Sequence, residues 1–108
     1  MAPVTLSPSS RHPQLLAARP RVPSHVVMRA FVHETVVLNL STGRYHGLNT
    51  TAGRMLEVLA GCDTVGEAAT RTAAEYGQPL EDVERDLCDL CVHLAERGLL
   101  EIDASPGP

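Results

Sequence analysis

The chain has 108 residues, a formal net charge of -4 and 44% hydrophobic residues, enough for one small domain with its own core. It contains no Lys and no basic run, which argues against the clustered cationic footprint of a nucleic-acid-binding surface. No apolar run approaches the roughly 20 residues that span a bilayer, the N-terminus lacks a secretory apolar core, and three Cys do not make a disulfide framework, so a reducing cytoplasm is the expected location.

Residues 1–23 carry Pro3, Pro8, Pro13, Pro20 and Pro23 among Ser, Arg and Ala. Proline at this density removes amide donors and blocks helix propagation. The expectation is a flexible tail, with at most one helical turn at Leu15 to Ala18. A folded domain is expected over 24–103, with a second tail at 104–108.

Val26, Met28, Ala30 and Val32 alternate with Val27, Arg29 and Phe31, the period-2 signature of a strand. His33-Glu34 suits a turn into a second strand at Thr35 to Leu40. Ser41-Thr42-Gly43 supplies the next turn, and Arg44 to Leu48 returns as a third strand. Short connections between successive strands imply an antiparallel meander.

Asn49 is a good N-cap for a first helix over Thr50 to Ala60, which stops at Gly61. Thr64 and Glu67 have capping-box spacing and open a second helix over Val65 to Tyr76, ended by Gly77. A third helix begins near Pro79 or Leu80, carries Val83, Leu87, Leu90 and Leu94 on one stripe, and ends at Gly98. Leu99 to Ile102 suits a short terminal strand. The predicted class is α+β, a three-stranded antiparallel sheet followed by three helices. The second and third helices resemble a helix-turn-helix with the sheet as its wing.

No catalytic constellation stands out, so the expectation is a non-enzyme. Ser, His and Asp are not placed in recognisable relation, and the glycines do not form a phosphate loop. Cys88-Asp-Leu-Cys91 has the spacing of half a zinc site, but Cys62 is the only other Cys. Cys88 and Cys91 are therefore read as small, semi-apolar helix residues. No metal and no cofactor is expected.

The third strand is an edge of the predicted meander. An edge presents unpaired amides and carbonyls, a template for an added strand. The third helix would form the other wall of a groove. At roughly 100° per residue, Cys91 lies on one shoulder of the apolar stripe, with Glu84 and Cys88 further round. Asp86 and His93 lie on the other shoulder. The Cys shoulder is less polar than a solvent face requires, so Cys88 and Cys91 are expected to line the groove.

The run Val37-Leu38-Asn39-Leu40-Ser41-Thr42-Gly43-Arg44-Tyr45-His46-Gly47-Leu48-Asn49 resembles the PqqD-like family. There a strand ends in a Gly-[Arg/Lys]-Tyr/Phe turn and Leu-Asn opens the first helix. The later pattern fits too: an Ala-rich helix ending in Tyr-Gly, then an acidic amphipathic helix ending in Gly-Leu-Leu. The resemblance covers about residues 24–103. One departure is Thr50, where many relatives have Pro; the first helical position accepts either. The Pro-rich N-terminal stretch is another.

Members of this family are RiPP recognition elements with a winged-helix-like fold. The resemblance implies non-catalytic binding of the leader of a ribosomal precursor peptide, added as a strand beside the third β-strand and packed on the third helix. The implied leader-binding residues are Arg44, Tyr45, His46, Gly47 and Leu48 on the strand. On the helix they fall within Val83 to Cys91: Val83, Glu84, Leu87, Cys88 and Cys91. The chain looks most like the standalone B1 proteins of lasso-peptide biosynthesis, which implies a B2-type leader peptidase as partner. A PQQ-type peptide chaperone serving a radical SAM enzyme is the alternative. A winged-helix DNA-binding regulator is a weaker one, because the third helix carries six acidic residues against Arg85 and Arg97. No nucleic acid and no membrane is expected among the partners.

Overall fold

The structure, a computed structural model, describes residues 13–103. In chain order it holds α1 (Pro13–Leu16), β1 (Arg19–Arg21), β2 (Val26–Ala30), β3 (Glu34–Asn39), β4 (Arg44–Asn49), α2 (Thr50–Ala60), α3 (Val65–Tyr76), α4 (Leu80–Glu96) and β5 (Glu101–Asp103). The expected α+β architecture is present: an antiparallel sheet in the order β2-β3-β4, followed by α2, α3 and α4.

Local chemistry accounts for the boundaries. Asn39 Oδ1 accepts from the Ser41 and Thr42 amides at 2.9 and 3.3 Å. This Asx-type turn delivers the chain to Gly43, whose φ of 75° is open to glycine and costly for other residues. Asn49 caps α2 by accepting from the Ala52 amide at 2.8 Å. Thr64 caps α3 by accepting from the Glu67 amide at 3.1 Å, while the Glu67 carboxylate reaches back to the Asp63 amide at 2.9 Å.

Two strand assignments shift. β2 ends at Ala30, and Phe31 and Val32 sit 56% and 84% exposed at the hairpin tip. The Phe31 amide donates to Glu34 O at 2.7 Å and closes the turn earlier than the alternation implied. The terminal strand starts at Glu101; Leu99 and Leu100 before it are buried anchors instead.

The larger departure lies at residues 13–23, read from the sequence as flexible tail. They form α1 and β1, and β1 pairs antiparallel with β5, with Pro20 opposite Ile102. Arg21 and Glu101 make an ion pair across this ribbon. The Val65 amide donates to Ala18 O at 3.0 Å, tying the segment to the start of α3, and Ala18, Pro20 and Pro23 are buried. A proline fits a two-stranded ribbon where its missing N–H faces away from the partner strand. Proline density therefore marked a segment without long helix rather than one without structure. The remaining tail assignments, at 1–12 and 104–108, lie outside the described residues.

The core sits between the inner sheet face and the helices. Val26, Val37 and Leu48 share one buried cluster with Leu56 and Leu59 of α2. The buried face of α3 is Val65, Ala68, Ala69 and Thr72, and that of α4 is Val83, Leu87, Cys88, Cys91 and Leu94. α3 and α4 pack against each other, small side chains on α3 permit close approach, and both cysteines lie on the buried face of α4. Cys88 is 1% exposed and Cys91 fully buried. The expectation that they line an open groove is therefore overturned.

Three consequences are measurable. Gly53 sits inside α2 with no space on its sheet side; an added Cβ would fall within the envelope of Thr35 Oγ1 and Cβ. Helix propensity alone would make Gly53→Ala stabilising by about 1 kcal/mol. Overpacking of about 1–3 kcal/mol reverses the sign, so urea unfolding should show a lower midpoint for Gly53→Ala. Burial, with Cys88 adding to it, pushes the Cys91 thiol up to about 12. An unfolded thiol ionises near 8.5. Between these values the unfolded chain binds fewer protons, so stability should fall as pH rises from about 9 to about 12. Cys91→Ala should flatten that slope. Cys88→Asp should not fold, because it buries an unpaired carboxylate.

Candidate functional site

β4 is an edge strand, hydrogen-bonded to β3 on one side only. The outward groups follow from the ladder. The Phe31 amide donates to Glu34 O and the Leu40 amide to His25 O, both at 2.7 Å. Antiparallel pairs alternate, so Glu34, Val36, Leu38 and Leu40 turn their backbone groups toward β2. Thr35, Val37 and Asn39 turn theirs toward β4, opposite Leu48, His46 and Arg44. The amides and carbonyls of Tyr45 and Gly47 therefore point out of the sheet, ready for another strand.

The side chains of β4 divide between two faces. Leu48 is buried and His46 half-buried on the face turned toward the helices, with Arg44 exposed beside them. Tyr45 projects from the outer face and is 73% exposed. It lies opposite Leu38, which lies opposite Val27, so an apolar row crosses the outer sheet.

Two depressions join β4 to α4, and a third continues from the second. Near the start of β4, a cavity of about 580 Å³ is lined by Arg44 and His46 on one side and Glu96 and Arg97 on the other. Arg97 is held there: its Nη1 donates to His93 O at 3.1 Å and lies 3.0 Å from His93 Nδ1. Near the end of β4, a cavity of about 390 Å³ has Ala52, Met55 and Leu90 as apolar floor and Asp86, Asp89 and His93 as polar wall. A third, of about 300 Å³, shares Thr51, Met55 and Asp86 with the second and continues between α3 and the start of α4. Asp82, Val83 and Tyr76 line that end.

The structure thus separates the residues expected at the site. Arg44, Tyr45, His46 and Gly47 lie along the accessible edge. Leu48 supports it from the core, and Val83 lines the far depression while only 4% exposed. Leu87, Cys88 and Cys91 are core residues, and Glu84 is half-buried outside all three depressions. The helix wall is the opposite shoulder: Asp86, Asp89, Leu90 and His93. The helical angles had distinguished the two shoulders correctly. The floor contributed by Ala52 and Met55 had no comparable signal.

The sequence model of the family described as coenzyme PQQ synthesis protein D (PqqD) matches residues 34–100. No curated protein matches the sequence significantly. The fold is similar to TbiB1, solved in complex with the TbiA(beta) leader peptide: TM-score 0.68, 34% identity, covering 75% of this chain and 94% of that one. It is similar to a lasso peptide synthetase B1 complexed with the leader peptide, at TM-score 0.68 and 26% identity, covering 78% of this chain and 99% of that one. The PqqD truncation of Methylobacterium extorquens PqqCD, described as a stand-alone RiPP recognition element, shares the fold at TM-score 0.68 and 24% identity, covering 87% of this chain and 97% of that one. With the family match spanning more than half of the sequence, this chain belongs to the PqqD family.

Proposed function

We propose that this chain is a non-catalytic recognition element that binds the leader of a ribosomal precursor peptide and delivers it to a separate processing enzyme. The observation that carries the reading is the free β4 edge facing α4 across a partly apolar trough. The leader adds as a strand along Tyr45 and Gly47. Its alternate side chains enter the trough over Ala52, Met55 and Leu90 or lie beside Tyr45 on the outer face. Specificity then comes from the side chains, and backbone pairing supplies a sequence-independent share of the affinity.

The processing enzyme is a leader peptidase of lasso-peptide biosynthesis. The B1 structures, at 34% and 26% identity, support this assignment over the PQQ pathway, where the structural relative is 24% identical. The PQQ reading, delivery to a radical SAM enzyme, keeps the support of the family description. Docking of α4 into nucleic acid is disfavoured by Asp82, Asp86 and Asp89 along its open shoulder.

The test is fluorescence polarisation with a labelled synthetic peptide, the leader of a precursor encoded beside this chain's gene. Saturable binding is expected. Tyr45→Pro removes an outward amide and spares the ladder to β3, so the fold should survive by circular dichroism. Affinity should fall about 10-fold or more, the cost of one lost hydrogen bond plus a blocked edge. Unchanged affinity in Tyr45→Pro would exclude strand addition at β4.

A further inference from the structure

The third depression contains a feature that strand addition leaves unused. Thr72 lines it, is 1% exposed, and its Oγ1 has no hydrogen-bond partner among the described residues. A buried hydroxyl without a partner is uncommon, because its lost hydration is not replaced. Two carboxylates border the same space. Asp82 Oδ1 accepts from Arg85 Nη2 at 3.1 Å in an exposed ion pair. Asp86 has neither ion pair nor hydrogen bond among the described residues. Met55 and Val83 make the wall apolar, and Tyr76 adds an aromatic ring, 41% exposed, at the rim.

We propose that this depression is a subsite for an arginine side chain of the bound peptide. The chemistry is complementary at each point. Met55 and Val83 cover the aliphatic stem. The Asp86 carboxylate takes the guanidinium charge, and the Thr72 hydroxyl oxygen accepts one of its remaining N–H groups. The Tyr76 ring offers its face to the cation. A neutral side chain leaves Asp86 unpaired, and an acidic one is repelled by Asp82 and Asp86.

The placement gives the groove an electrical direction. Arg44 and Arg97 outnumber Glu96 at the start of β4, and Asp82, Asp86 and Asp89 gather toward the other end. The subsite adjoins the far end of β4 through the shared Thr51, Met55 and Asp86. An arginine just beyond the added strand would thus fix the register of an otherwise sequence-tolerant backbone pairing. This rests on the peptide-binding reading only in making the arginine part of the leader; the subsite itself is testable alone.

The experiment titrates isotope-labelled full-length protein with Nα-acetyl-arginine amide and, in parallel, with Nα-acetyl-citrulline amide, its neutral isostere. The expected result is saturable millimolar shifts of the Thr72, Tyr76 and Asp86 amides with arginine only, lost in Asp86→Asn and weakened about 3- to 5-fold in Thr72→Val. Both variants should keep the native spectrum elsewhere; Thr72→Val removes an unpartnered hydroxyl and should melt no lower than the parent. Equal shifts with citrulline, the same arginine shifts in Asp86→Asn, or none in the parent would overturn the subsite. A leader peptide bound equally by parent and Asp86→Asn would overturn its use in recognition. Arginine shifts without any leader binding would retain the subsite and discard the peptide reading.

Discussion

The rotation of α4 about its own axis decides what this molecule offers to a ligand. Ala68, Ala69 and Thr72 give α3 a shallow buried face, and α4 packs against α3 with Leu87, Cys88 and Cys91 on its own buried face. Close approach yields dispersion contacts that a wider gap would forfeit. With that shoulder consumed, the opposite one, Asp86 to His93, is left to face the β4 edge. A helix turned by a third of a revolution would bury carboxylates and expose thiols. The cost of burying charge makes that orientation inaccessible, so core packing selects the chemistry of the groove.

The edge itself is a managed liability. Unpaired amides and carbonyls invite any extended chain, including a second copy of this one. β4 limits that invitation at Gly47, which offers no side chain for cross-strand packing. Glu34 also stands close to the space a Gly47 side chain would need. A flexible leader loses conformational entropy on binding, and a preformed edge and trough keep the protein's own ordering cost low. On the proposed reading, holding the leader confines its attached core near any enzyme engaged with the complex and raises its effective concentration there without new contacts.

Much of this architecture was legible in the sequence because it is written in local rules. The strand expected at Thr35 to Leu40, the Asn49 and Thr64 caps and the glycine after Tyr76 each act within a few residues. The edge residues from Arg44 to Gly47 were legible for the same reason. Pairing between distant segments was not: β1 finds β5 through the ribbon and through Ala18 on α3, and nothing in a proline-rich stretch announces a partner eighty residues away. The choice of shoulder on α4 failed for a related reason. Both shoulders border the apolar stripe, and only packing against other elements discriminates between them. Gly53 shows the same limit in miniature. It reads as a weak helix position and is in fact where α2 meets Thr35.

The central claim is that a peptide joins the sheet at β4, and the most direct measurement is amide hydrogen exchange with and without the leader. The ladder assigns the His46 amide to β3 and leaves those of Tyr45 and Gly47 outward. Binding should therefore slow exchange at Tyr45 and Gly47 strongly and leave the already protected His46 amide little changed. This alternation is the signature of an added strand. Protection appearing instead along the outer edge of β2, or uniformly over the domain with no alternation in β4, would contradict the account.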